Sequence, residues 1–277
     1  YIGGQFTILP FSTFPQGNNS VTDFIPVARI SDMLLHPGES FDFDGKVYNY
    51  PDIRLMYWAG GNPFHHHQDI NRMVKAWQKP DTVVVHEWCW NSLAKRADIV
   101  LPCTTPLERQ DIAMTPRDPY LVAMSKLTEP YGKSKNDYQI FAGIAHLMNA
   151  ESDFTESRSE QEWQRKIYDE TREKSATLGV EIPEYEQFLE DGWFKVDPPK
   201  EPIVMLQDFR ADPVKNSLST PSGKIELFSK TVASFDYDDC PGHPVWIEPY
   251  EWLGSDDKRW PLHLISNQLK TKLHSHL

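Results

Sequence analysis

The sequence is poor in the features that mark several common classes of protein. It has three cysteines in 277 residues, Cys89, Cys103 and Cys240, an odd number without CxxC spacing. That argues against a disulfide framework and against a cysteine-built zinc or iron–sulfur site. Apolar runs are short, such as Val83-Val84-Val85, and none approaches the roughly 18 residues that a membrane-spanning helix needs. Positive charge is scarce: 28 Lys and Arg stand against 40 Asp and Glu, a formal net charge of −12. A nucleic-acid partner, which requires a basic face, is therefore disfavoured. There is no GxGxxG fingerprint of an ordinary nicotinamide site and no HExxH metal motif. No serine–histidine–acid or cysteine–histidine constellation follows from spacing. Near the start, no basic stretch is followed by an apolar one in the manner of a signal peptide. The chain opens on Tyr1 without a methionine, so it reads as an internal piece of something longer.

What is present is a soluble, globular composition, 39% hydrophobic and 25% charged, with 22 prolines and 9 tryptophans. Such proline and tryptophan content predicts long, packed, irregular connections. A short helix is expected over residues 25–35. Asp44-Gly45 between Phe41-Asp42-Phe43 and Val47-Tyr48 predicts a hairpin. Residues 53–58 read as a strand closed by Gly60-Gly61-Asn62-Pro63. A helix from about Asp69 follows, with Ile70, Met73, Val74 and Trp77 at helical spacing. Thr82 to His86 reads as a strand buried on both faces, residues 91–96 as a second helical stretch, and Ile99-Val100-Leu101 as a third strand. Alternation of this kind predicts an α/β fold with a parallel sheet and right-handed crossovers. Asp137 to Met148 is the clearest amphipathic helix. Residues 150–200, strongly charged with a thin stripe of Trp163 and Ile167, read as a peripheral helical insertion. Ile225 to Phe228 is expected to be a strand after the turn at Pro221-Ser222-Gly223. A further strand, Leu262 to Ile265, opens only twelve residues before the end.

The chemistry is expected where open α/β sheets bind ligands, in the crevice beyond the carboxyl ends of the strands. Gly60 and Gly61 let a backbone turn sharply and approach a ligand closely, and the Asn62 amide can serve both a donor and an acceptor on a base or phosphate. A plain strand-to-helix turn is an equally good account of these four residues alone. His65-His66-His67 cannot all face one ion from a regular element, so metal binding is disfavoured and one or two rings are expected to line the crevice as hydrogen-bond donors. His86 and Glu87 end the next strand, where nucleotide folds grip a ribose hydroxyl; a solvated glutamate is the alternative. Arg109 can pair with a phosphate through its planar fork, or with Glu108 or Asp111.

Together these segments resemble the molybdopterin oxidoreductase superfamily, in its dimethyl sulfoxide, trimethylamine N-oxide and biotin sulfoxide reductase branch. The resemblance rests on FIPVARI at residues 24–30, YWAGGNPFHHHQD at 57–69, ADIVLP at 97–102 with LERQD at 107–111, TPSGKIE at 220–226, YDDCPGHP at 237–244, and LHLI at 262–265 with Leu273-His274-Ser275. It implies molybdenum bis(molybdopterin guanine dinucleotide) as cofactor. Gly60, Gly61, Asn62, His66, Gln68, His86, Glu87, Arg109 and Asp137 would meet one dinucleotide. Ser266, Asn267, His274 and Ser275 would belong to a loop that holds the pterins. His276 stands where relatives commonly have glutamine. The resemblance divides the chain into an α/β region over 1–258 and the opening of a truncated barrel-like cofactor-binding domain over 259–277. The branch's serine ligand to molybdenum lies upstream, so no catalytic residue and no metal ligand is assigned here, and the piece alone is expected to be inactive. The implied parent takes oxygen from an S-oxide or N-oxide, fed by an electron-donor protein or reduced cofactor. A related molybdopterin enzyme of different chemistry, or a non-catalytic binding module on the same fold, is the alternative.

Overall fold

A computed structural model describes residues 10–114, 119–197 and 204–249, with isolated positions at 252, 254, 262, 265, 267 and 270. In chain order the elements are α1 (Ile30–Leu35), β1 (Ser40–Phe43), β2 (Lys46–Asn49), β3 (Leu55–Ala59), α2 (Pro63–His66), α3 (Ile70–Ala76), β4 (Thr82–Glu87), β5 (Ile99–Pro102), β6 (Asp111–Met114), β7 (Tyr120–Met124), α4 (Asp137–Leu147), α5 (Glu151–Thr155), α6 (Glu160–Ala176), α7 (Tyr185–Asp191), β8 (Trp193–Lys195), α8 (Gln207–Ala211) and α9 (Lys230–Ala233). The chain forms two compact units, one from residues 1–24, 54–64 and 80–200, the other from 25–53, 65–79 and 201–277. The fold is mixed α/β, with one parallel sheet and two antiparallel ones among the described residues.

In the first unit, β3, β4 and β5 run parallel in that order. β4 is central, and Val83, Val84 and Val85 are all buried, as expected of β-branched residues in a parallel strand covered on both faces. Tyr57 pairs with Val84 and Ala59 with His86, so side-chain alternation puts Tyr57, Val84 and His86 on one face and Glu87 on the other. Beyond β5 the chain leading into α4 continues the sheet: Lys135 N–H donates to the Pro102 carbonyl (3.1 Å), and Thr104 N–H to that of Lys135 (3.2 Å). This pairing delivers the N-terminus of α4 to the carboxyl edge of the sheet.

The same unit holds an antiparallel sheet of β6, β7 and β8, and this region departs from the sequence expectation. Residues 151–197 contribute to a core rather than lying wholly at the periphery. Tyr168 of α6 and Phe188 of α7 are fully buried, stack at 4.8 Å, and join Leu121, Ala123, Ile182, Tyr185 and Val196 in one apolar cluster. The charge of α6 is real, but it occupies the solvent face. Trp163, Tyr168, Thr171 and Ser175 form a buried stripe that a tally of charges conceals. Ser159 starts the helix with a capping box to Glu162.

In the second unit, β1 and β2 form the expected hairpin, with Asp44 and Gly45 both at positive φ (48° and 69°), the geometry of a two-residue turn that matches strand twist. Asp69 caps α3 by accepting from Arg72 N–H at 3.2 Å, and Met73 is buried on the helix's inner side. Three sequence expectations are corrected in detail. The 25–35 helix begins as a 3₁₀ turn at Val27–Arg29 after Pro26. Residues 91–96 give only a 3₁₀ turn at Ala94–Arg96, because Asn91 Oδ1 accepts from Leu93 and Ala94 N–H and forms an Asx turn instead of a helix. Ile225 to Phe228 forms no strand: Thr220 closes turns onto Gly223 and Lys224, and Ile225 and Leu227 are exposed. The strand expected at 262–265 includes His263 and Leu264, which lie outside the described residues.

Candidate functional site

The carboxyl edge of the parallel sheet collects most of the sequence-predicted residues of the first unit. After β3, Gly60 and Gly61 adopt φ of +86° and +73°, a region that side chains disfavour. Space around Gly60 is open: a Cβ built there would meet nothing within 4 Å. The backbone is therefore bare to whatever approaches the edge. Asn62, buried behind it, is committed to the protein. Its Oδ1 accepts from Phe64 N–H (3.0 Å), fixing the start of α2, and its Nδ2 donates to Ser92 Oγ (3.3 Å). Arg96 lies over the Phe64 ring at 4.7 Å and holds the same junction.

At the end of β4 the two predicted residues differ. His86 has a side chain only 1% exposed, and both its ring nitrogens are engaged: Nδ1 with Asp137 Oδ1 at 2.6 Å and Nε2 with Tyr57 Oη at 2.5 Å. Donation from Nδ1 to the carboxylate, with Nε2 accepting the Tyr57 hydroxyl, is a tautomer that engages both nitrogens. Phe141 of α4 covers both rings, at 5.0 Å from His86 and 5.6 Å from Tyr57. Burial and the Asp137 charge push the Tyr57 hydroxyl upward in pKa, which keeps it a donor. Glu87, by contrast, is 8% exposed, and its carboxylate has no hydrogen-bond or ion-pair partner among the described residues. The open edge is where a partner can reach it.

Asp137 is the first residue of α4, exposed, with one carboxylate oxygen held by His86 and the other without a partner among the described residues. Arg109 donates through Nε to Asp111 (3.2 Å) and through an Nη to the Thr104 carbonyl (3.1 Å). Cys103, at the end of β5, is pushed up to about 11 by burial first and then by the Asp137 and Glu87 carboxylates, so it remains a thiol. Glu108 is structural. Its carboxylate accepts from Thr105 N–H (2.7 Å), Thr105 Oγ (2.9 Å) and Tyr131 N–H (2.7 Å), and these donors hold its pKa below the ordinary value. A depressed carboxylate stabilises the fold above its unfolded pKa of about 4.3 and loses that contribution as pH falls through the folded value. Glu108→Gln is therefore expected to lower the urea midpoint at pH 7. The gap from wild type should narrow toward pH 3, and a gap independent of pH would contradict this account.

His66 and Gln68 are exposed and belong to the second unit, as does exposed Asn267. Burial, and then His66, lower the pKa of neighbouring His67. Ser266, His274 and Ser275 lie outside the described residues. Among the described residues no group of three or more His, Cys, Asp or Glu is placed to hold a metal ion, and no helix is long and apolar enough to cross a membrane. Sequence reasoning missed Tyr57 as a site residue. The signal was there: in register with Val84, it shares a face with His86. Asn136, the N-cap of α4, was missed as well, and the capping pattern Asn136…Gln139 could have found it.

The chain is 43% identical over all of its 277 residues to biotin sulfoxide reductase from Cereibacter sphaeroides, covering 37% of that protein. It is 43% identical over 261 residues, 91% of the chain, to dimethyl sulfoxide/trimethylamine N-oxide reductase from the same organism, covering 31% of it. The chain thus spans about a third of the length of these relatives. Among solved structures, acetylene hydratase from Pelobacter acetylenicus aligns at TM-score 0.47 and 22% identity over 73% of this chain and 25% of that one. Residues 6–147, just over half of the chain, match the family model of the molybdopterin oxidoreductases. The chain belongs to the molybdopterin oxidoreductase family.

Proposed function

We propose that this chain grips the nucleotide end of a molybdopterin guanine dinucleotide, within an oxidoreductase that removes oxygen from S-oxides or N-oxides. The observation that carries the reading is the sheet edge itself. A bare glycine backbone at Gly60 and Gly61 leaves the same edge as Glu87, whose carboxylate has no partner among the described residues, and Asp137 has one oxygen without a partner among them. Those groups fit a nucleotide: carboxylates accept from ribose hydroxyls and base N–H groups, and an exposed backbone admits a pyrophosphate. Arg109 would supply the planar cation for a phosphate. Asn62 acts here chiefly by fixing the glycine turn through Phe64 and Ser92, and His86 acts through Asp137. We assign His66, Gln68, Ser266, Asn267, His274 and Ser275 to the same cofactor by resemblance, with 259–277 as the opening of a second cofactor-binding domain. When bound, the molybdenum–pterin centre supplies oxygen abstraction and electron storage; this chain supplies binding and orientation. S-oxide or N-oxide substrate and an electron donor complete the proposal, which is supported by the names of the relatives.

The test is cofactor retention in the intact protein. Glu87→Ala should weaken nucleotide retention by about 1–3 kcal/mol, the worth of one or two hydrogen bonds to a charged group. Guanine nucleotide and molybdenum are measured after gel filtration, and contents equal to wild type would overturn the assignment.

A further inference from the structure

Residues 151–197 reach the proposed grip at two points. Glu160, the first residue of α6, accepts a hydrogen bond from Asn136 Nδ2. Asn136 caps α4, and its Oδ1 accepts from Thr104 Oγ (2.7 Å) at the end of β5. One turn along α6, Gln164 Nε2 donates to the Gln110 carbonyl (2.9 Å), while Gln110 Nε2 donates to Gln164 Oε1 (3.4 Å) and to Tyr185 Oη (3.2 Å). Gln110 stands between Arg109 and Asp111; Asn136 immediately precedes Asp137. Arg109, Asp111, Asn136, Asp137 and Glu160 face one another around the polar end of a cavity of about 330 Å³. A single helix thus holds both the segment that carries Arg109 and the cap that carries Asp137.

We propose that α6 is a clamp that sets the separation of Arg109 and Asp137, with Glu160 as a positioning residue that fixes the N-terminus of α4. The proposal rests on reading Arg109 and Asp137 as contacts to the dinucleotide. An asparagine cap tied at one end can rotate; tied at both, by Thr104 and Glu160, it cannot, and the next residue inherits its position. The electrostatics point to acceptor geometry rather than charge as what Glu160 provides. Burial first, then Asp111 and Asp137, raise the pKa of its carboxyl, against the opposing pull of Asn136 and Arg109. A neutral side chain with the same acceptor should therefore serve.

That gives the discriminating variants, tested in the cofactor-loaded protein by the rate at which guanine nucleotide is released, with the melting temperature recorded alongside. Glu160→Ala and Asn136→Ala should each speed release about tenfold, the loss of roughly one hydrogen bond's worth of positioning. The double variant should be no faster than either single one, since both cut the same tie. Glu160→Gln should release at close to the wild-type rate. If Glu160→Ala does not fold, Gln164→Ala cuts the other attachment and carries the same expectation. The clamp is overturned if Glu160→Ala releases at the wild-type rate, if Glu160→Gln is as fast as Glu160→Ala, or if the double variant multiplies the single effects. Arg109→Ala and Asp137→Ala separate the two levels. Should they also release slowly, the cofactor reading itself fails; should they release fast while Glu160→Ala does not, only the clamp fails.

Discussion

Replacing His86 by alanine is expected to lower stability by about 2–3 kcal/mol through the cavity left by a buried ring, and to speed guanine nucleotide release about tenfold. The second effect is the informative one. His86 has no nitrogen left for a ligand, because Nδ1 is spent on Asp137 and Nε2 on Tyr57. Its influence on a nucleotide must pass through the carboxylate it orients. Asp137 is more than half exposed, so without the imidazole its carboxylate is free to rotate into water and the oxygen offered to a ligand is no longer preorganised. Urea unfolding and nucleotide release are measured on the same preparation. A variant that is less stable yet holds nucleotide as firmly as wild type would reduce His86 to packing alone.

Phe188→Ala is expected to cost about 3–5 kcal/mol, the range for truncating a large aromatic in a closed core. Phe188 is fully buried, stacks on Tyr168 at 4.8 Å, and anchors the cluster that joins α6 and α7 to β7 and β8. A peripheral excursion would tolerate the change at well under 1 kcal/mol. Chemical denaturation decides between the two, and a negligible shift in midpoint would contradict the core assignment of residues 151–197.

The parallel sheet was legible because its signals are local. Three consecutive valines ended by His86-Glu87 fit a central parallel strand, and Gly60-Gly61-Asn62-Pro63 closes β3 where a turn at positive φ is required. The hairpin at Asp44-Gly45 was legible for the same reason. Ile225 to Phe228 has strand composition but no ladder partner among the described residues, and composition alone does not supply one. Residues 150–200 misled because α6 spaces its buried residues among charges, and because its partners Leu121 and Ala123 come from a strand far back in the chain. The site divides likewise. Glycines and strand-end acids can be found by pattern, and family resemblance points to Asp137. The contact between His86 and Asp137, 51 residues apart, and the tie from Asn136 to Glu160 exist only once the sheet and helices have assembled.

The central claim, that the edge bounded by Gly60, Glu87 and Asp137 holds a guanine dinucleotide, is tested most directly by one measurement. Nucleotide is extracted with acid from the purified intact protein and from Asp137→Ala, and identified and quantified against molybdenum. The account predicts guanine nucleotide in the wild type and a clear loss of it in the variant under the same washing. Equal guanine nucleotide in both proteins, or none in a wild type that contains molybdenum, would contradict it.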